Sequence, residues 1–293
     1  MTSLNHKIDF AVILNVNNAN PNGDPLNGNR PRVNYDGLGE ISDVCIKRKI
    51  RNRLQDLGEP IFVQSDDNRV DDYPSLRVRA EGEIDDKFWK DEKDFQSAVC
   101  AKWIDVRAFG QLFAYKGTKK GQGVSVGIRG PVSIHPAFSV SSVLDRVTSI
   151  QITKSVSGEG DGTKKASDTM GMKHRVDHGV YVFYGAINPQ LASKTGFSEE
   201  DAQKIKEAIQ TLFQNDASSA RPEGSMEVYR VYWWDHPNKH GKYASARVHR
   251  EIRKRVSVRE GVTDPQTIED YEFPSKEELN AALPELQTEV FSP

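Results

Sequence analysis

The chain has 293 residues, 37% of them hydrophobic and 28% charged, with 40 basic and 42 acidic side chains for a net charge of −2. That length can bury a sizeable core in one large domain or two smaller ones, and the near-neutral total taken alone argues against a generic polyanion binder. No apolar run approaches the ~18 residues of a membrane span, and the opening MTSLNHKIDF lacks a charged-then-apolar signal, so the expected location is cytoplasmic, away from membranes. Cys45 and Cys100, the only two cysteines, sit far apart in apolar surroundings and read as reduced core thiols rather than a disulfide or a metal knuckle.

In chain order, residues 7–17 place Ile8, Phe10, Val12, Leu14 and Val16 at every second position, which predicts a strand. Residues 15–34 then hold eight asparagines with Gly23, Gly28, Pro21, Pro25 and Pro31 among them. Asn and Gly reach left-handed angles cheaply and Pro fixes φ, so this is a shaped loop, and its length marks it as functional rather than a connector. Ser42 caps a predicted amphipathic helix over 42–57, with Ile46, Ile50, Leu54 and Leu57 on one face, Lys47, Arg48 and Arg51 on the other, and Gly58 closing it. Residues 61–121 are heterogeneous, with an acidic stretch and a helix over about 94–103, and read as an insertion. Residues 124–135 are a strand candidate broken or bulged at Gly130 and Pro131. Residues 137–176, which include the low-complexity GEGDGTKKASDTMGMKHR, read as an extended mobile hairpin or finger. A strand over 176–188, a helix over 198–213 capped by Ser198 and a strand over 226–234 follow, and the acidic tail after Pro265 is expected to pack loosely. The order β-α-(insertion)-β-(finger)-β-α-β is the α+β, split βαβ order (βαββαβ) of ferredoxin-like and RNA-recognition domains, with two large insertions.

Charge is segregated along this order. Residues 30–53 carry seven basic side chains against three acidic, and 242–255 carry six against Glu251 alone. Residues 66–94 carry eleven acidic against six basic, and 260–293 nine against Lys276. One neutral molecule with a basic and an acidic face suits a polyanion groove, subunits meeting plus to minus, or both.

Most catalytic and cofactor signatures are missing. The G-x-G-x-x-G and G-x-x-x-x-G-K-[ST] patterns do not occur, and no cofactor is expected. His174 with His178 and His236 with His240 have the i, i+4 spacing of a helical metal pair. However, the first straddles a strand start, where four residues span roughly 13 Å, and the second lies in a turn-like PNKHG. No metal site is expected. Asp24 is the one carboxylate to weigh as a catalyst, against an ordinary Asx turn in N-P-N-G-D-P. Lys47, Arg48 and Arg51, directly after a Gly- and Arg-bearing loop, read as phosphate contacts in preference to a solvated helix face.

N-P-N-G-D-P at 20–25, G-N-R-P-R at 28–32, S-D-V-C-I-K-R-K-I-R at 42–51, W-I-D-V-R-A-F-G at 103–110 and S-D-T-M-G-M-K-H-R-V-D at 167–177 occur in that order. Together they resemble the backbone, crRNA-binding subunit of the type I-C CRISPR surveillance complex Cascade, in the RAMP superfamily. The resemblance spans most of the chain to about residue 188. It implies an antiviral-defence protein without catalytic residues: an RNA-recognition-like palm (1–60, 122–136 and 177–240), an accessory insertion (61–121), a thumb (137–176) and a C-terminal palm extension with an acidic tail (241–293). Copies of the chain would polymerise along one crRNA, beside other Cascade subunits, and present its bases to target DNA.

Carried over residue by residue, the RNA contacts are Asn20, Asn22, Gly23, Asn29, Arg30, Arg32, Ser42, Lys47, Arg48 and Arg51, with Lys173, His174 and Arg175 at the thumb. Met170 or Met172 is the apolar wedge that displaces a base, although family members commonly carry a basic residue at the position of Met172. A guide must be held whatever its sequence, which calls for phosphate and 2′-OH contacts. Tyr181 and Phe183 occupy a strand position used elsewhere for base stacking, and read here as buried core. Two rival readings are a metal-dependent ribonuclease acting through Asp24 on complementary RNA, and a protein-only scaffold.

Overall fold

The computed structural model describes residues 3–115, 124–154 and 169–292, and the sequence forms an α+β fold on a large antiparallel sheet. β1 (Ile8–Ala19) leads into a loop pinned by the short pair β2 (Gly23–Asp24) and β3 (Arg30–Pro31), then β4 (Leu38–Ile41) and helix α1 (Asp43–Asp56). Helices α2 (Leu76–Glu83), α3 (Glu92–Lys102) and α4 (Ile104–Phe109) precede the hairpin β5 (Gly110–Tyr115) and β6 (Val124–Arg129). β7 (Val132–Ile134), β8 (Ala137–Ser142), β9 (Val147–Lys154), β10 (Thr169–Ile187), α5 (Pro189–Thr195) and α6 (Glu199–Gln210) follow. The chain continues through β11 (Met226–Asp235), α7 (Ser245–Arg253), β12 (Ser257–Val258), β13 (Tyr271–Glu272), α8 (Lys276–Ala282) and β14 (Gln287–Phe291).

Among the described residues the main sheet has eight strands in the order β14-β11-β1-β10-β8-β4, with β7 and β9 also on β10 and every pairing antiparallel. Ile8, Phe10, Val12, Leu14 and Val16 of β1 face α1 and α6 and form the larger core with Ile46, Ile50, Leu54, Ile205 and Ile209. The predicted caps are in place: Ser42 Oγ accepts from Cys45 N, and Ser198 forms a reciprocal capping box with Asp201. Phe10 lies flat on Trp233 and over Gly185, where a Cβ would come within 2.1 Å of the Phe10 ring, so that strand position excludes any side chain.

Three expectations are corrected. First, the tail is not loose. Ala11 and Ile13, on the other face of β1, pack with Val180, Tyr232 and Trp234 beneath Val248, Ile252, Tyr271, Leu279, Leu283 and Leu286. β14 closes the sheet edge on β11. The nine acids of 260–293 hide a helical repeat at 279 and 283. Second, residues 124–135 are two strands in different sheets: β6 pairs with β5, and after Gly130 and Pro131 only β7 joins β10. The insertion thus has its own core of Phe62, Phe95, Trp103, Val106, Phe113, Val126 and Ile128. Third, the finger begins inside the sheet, since β8 lies between β10 and β4, whereas β9 and the first half of β10 extend from it as a hairpin. Residues 155–168 of that finger lie outside the described residues.

Buried charge fastens these layers. Asp9 is fully buried and accepts from His236 Nε2 at 2.8 Å and pairs with Lys7 Nζ at 3.0 Å, with His249 Nε2 3.6 Å away. Burial pushes the Asp9 carboxyl up, but the bonds from His236 and Ser245 and the charge of Lys7 pull it further, so its net shift is downward. His249 donates to Gly185 O at 3.1 Å if its proton sits on Nε2, and burial holds it below its ordinary value.

Two measurements test this layer. Leu279→Ala should cost about 2–5 kcal/mol in denaturant unfolding, the range for a buried leucine and not for a loose tail. A histidine lowered by folding stabilises the fold above its ordinary pKa, and this stability is lost as pH falls through the folded value. The unfolding midpoint should therefore drop on the acid side of 6.5, the ordinary histidine value, and drop less in His249→Gln.

Candidate nucleic-acid interface

The Asn-rich loop is closed on itself. Asp24 Oδ1 accepts from Leu26 N at 3.1 Å and caps a single 3₁₀ turn, Pro25–Asn27, which Gly28 (φ 57°) and Asn29 (φ 60°) end in the left-handed region. Asn29 N returns to Asp24 O at 2.8 Å, and Asn20 Nδ2 donates to Asn29 O at 2.7 Å. A Cβ on Gly23 would lie 2.0 Å from Asn29 Oδ1, which is why this crossing needs glycine. Asn22 Oδ1 accepts from both Ser42 N and Ser42 Oγ at 2.9 Å, tying the loop to the start of α1. Asn20, Asn22, Gly23, Asn29, Arg30, Arg32 and Ser42 are therefore brought together.

The loop also meets the hairpin. Arg30 Nη1 donates to Ser149 Oγ at 3.1 Å, and the same hydroxyl lies 2.7 Å from His174 Nδ1. Sequence reasoning missed Ser149, one hydroxyl in a polar strand with no motif around it. On β10, Met170, Met172 and His174 share one face of the hairpin, with Met170 67% and Met172 55% exposed. Both methionines thus have the exposure an apolar wedge requires. Lys173 and Arg175 project from the opposite face, and Arg175 Nε pairs with Asp177 at 3.1 Å. The candidate residues of the hairpin form two groups.

α1 departs furthest from the expectation of a cationic phosphate face. Arg51 Nε pairs at 2.9 Å with Asp105, which is 1% exposed and also accepts from Phe62 N and Val63 N at 2.8 and 3.1 Å. Arg48 Nη1 donates to Val63 O at 2.5 Å, Lys47 pairs with Asp43 at 3.0 Å, and buried Lys49 pairs with Asp216. Arg48 and Arg51 dock residues 62–105 onto the helix and Lys49 docks the loop at Asp216, whereas the Lys47 pair stays within α1. Burial and the neighbouring Arg51 hold the Arg48 guanidinium below its usual range. A second buried pair, Arg107 to Asp201 at 2.7 and 3.0 Å, fastens the insertion to α6. The partner of Arg51 lies in another motif, W-I-D-V-R, and nothing in spacing joins the two.

Tyr181 and Phe183 are fully buried on the α1 and α6 side. The other sheet face is covered by α7 and the segment beyond it, so neither side of β10 is an open stacking platform there. Asp24 is held by Leu26 N and lies 3.5 Å from Arg32 Nη2. Among the described residues no group of three or more His, Cys, Asp or Glu is arranged to hold a metal, and no helix is long and apolar enough to cross a membrane.

The self-bonded polar loop is thus joined through Arg30 to a hairpin that carries two exposed methionines, an open surface unlike an enclosed active-site cavity. Residues 6–276 match the family model CRISPR-associated protein Cas7, and the chain belongs to that family. It is 28% identical over 231 residues to the CRISPR-associated protein Cas7 of Haloferax volcanii, covering 75% of this chain and 67% of that one. Its fold is similar to that of a chain in a solved CRISPR RNA-guided surveillance complex, pre-nicking, with a TM-score of 0.50 and 13% identity over 94% of this chain and 87% of that one.

Two substitutions separate docking from ligand contact. Arg51→Ala should destabilise the fold by about 3–5 kcal/mol because it leaves the Asp105 charge buried and unpaired. Arg30→Ala, at a loop surface, should shift stability by no more than about 0.5 kcal/mol yet weaken RNA binding in a filter or polarisation assay.

Proposed function

We propose that the chain is a crRNA-binding backbone subunit of a CRISPR interference complex, which lines up in copies along one guide and presents its bases to target DNA. The observation that carries this reading for the site is the Arg30, Ser149 and His174 junction. It sets the loop's cations beside the hairpin's exposed methionines, so one strand can be gripped by its phosphates and wedged between bases. In the βαββαβ reading, β1, α1, β8, β10, α6 and β11 are the palm, and the spatial order β11-β1-β10-β8 supports it. The hairpin of β9 and β10 is the thumb, and the insertion is an accessory body held by Asp105 and Asp201. Asn20, Asn22, Gly23, Asn29, Arg30, Arg32, Ser42 and His174 contact the guide directly. Arg48 and Arg51 act indirectly, by docking the insertion, and Lys47, Lys173 and Arg175 meet the outer path of the strand. The five ordered motifs support the type I-C subtype.

The engagement of Asp24 with Leu26 N and Arg32 supports a non-catalytic loop over the ribonuclease reading. Protein purified from its host should carry RNA with repeat-derived tags. Affinity for that RNA should fall with salt at about 0.7 of log–log slope per phosphate contact on a single strand. The assembled complex, given complementary RNA and Mg²⁺, should leave it intact. Periodic cuts abolished in Asp24→Ala would establish the ribonuclease instead.

A further inference from the structure

α7 packs Val248 and Ile252 against the sheet, on the face opposite α1, and turns a stripe of cations outward. Arg247, Arg250 and Lys254 stand at i, i+3 and i+7, all exposed, so they follow one side of the helix over about 10 Å. The acid on this helix, Glu251, is half-buried and bonded to Lys254 at 3.3 Å and Arg255 at 2.5 Å. Arg250 has no side-chain partner among the described residues. At Arg253, the residue before Lys254, the helix meets a groove of about 380 Å³ that also has Phe138, Tyr184, Asn34 and Leu38 in its walls. Phe138 is 36% exposed, and Arg253 lies over the Tyr184 ring, 5.4 Å from its centroid. His249, next to the stripe, bonds to Gly185, which pairs with Phe10, whereas the thumb base at Val176 pairs with Ala19. Nine strand residues, about 30 Å, separate His249 from the hairpin base, whereas Asn34 and Leu38 bring the groove up to the end of the Asn-rich loop.

We propose that the α7 stripe and the Phe138 groove hold a second nucleic-acid strand: the single strand of DNA displaced when the guide pairs with its complement. This rests on the function proposed above. A row of cations beside an exposed aromatic ring is the arrangement that binds single strands without sequence preference, phosphates on the cations and bases on the ring. An acidic protein surface would match the cations but leave Phe138 without a role, so the observations favour the strand.

The test uses the guide-loaded complex and oligothymidylate, which the guide cannot pair with. Arg247→Glu combined with Arg250→Glu and Lys254→Glu should lower its affinity and reduce the log–log salt slope by roughly 2. Phe138→Ala should weaken binding at least about fivefold, as loss of a stacked base does. Guide retention, complex size and affinity for a guide-complementary oligonucleotide should not change. Unaltered oligothymidylate affinity and slope in both variants overturns the proposal. Loss of guide or a change in complex size also overturns it, and assigns the stripe to the guide or to a neighbouring copy. Wild-type complex without RNA would refute the function proposed above, and the same comparison on the isolated chain would still decide whether the stripe binds DNA.

Discussion

A central strand buried on both faces must find apolar cover twice, and most of this architecture follows from that demand on β1. Its even positions take α1 and α6, the usual helical layer of a split βαβ sheet. Its odd positions, with Tyr232 and Trp234 from β11, cannot face water at tolerable cost, so the chain returns after β11 to lay α7, α8 and their flanking segments across them. What would be an open face in a two-layer sheet-and-helix fold is here a third layer. Neither face of β10 beneath these layers is open for base stacking.

The disposition of charge obeys a related rule. Cations on α1 that would stand free on an isolated helix are drawn into the insertion by Asp105 and by backbone carbonyls. A buried carboxylate is tolerated only when paired and hydrogen-bonded on all sides. Arg107 and Asp201 repeat the arrangement at α6. Such pairs add little net stability compared with apolar contacts, but each fixes one orientation of the core around Phe62 and Phe113 against the core beneath α1 and α6.

Features encoded locally were legible in the sequence. The alternation of residues 7–17, the Ser42 and Ser198 caps, the Asn- and Gly-driven turn and the Asp24 Asx bond all depend on neighbours within a few positions. Burial of Tyr181 and Phe183 was also read correctly. Features that depend on distant partners were not legible. The sequence shows Arg51 on a polar helix face, and only the fold reveals Asp105 opposite it. The tail's acids masked Leu279 and Leu283, and the pause at Gly130 and Pro131 read as a bulge because periodicity alone cannot show that β6 and β7 join different sheets. Ser149 had no signature, since a lone hydroxyl acquires meaning only from Arg30 and His174.

The late third layer also bears on how the chain is made. Until residues 245–291 have emerged, Ala11, Ile13, Tyr232 and Trp234 lack their cover and β11 lacks its edge strand. A nascent chain can build the α1 and α6 layer early, but it carries an uncovered apolar sheet face until those later residues have been made. Closure then waits on a core that brings together segments some 270 residues apart in sequence, with Ala11 and Leu283 both among its members. Long-range closure of this kind is slow and leaves the intermediate prone to association. Chaperone demand during translation should therefore concentrate on that one face.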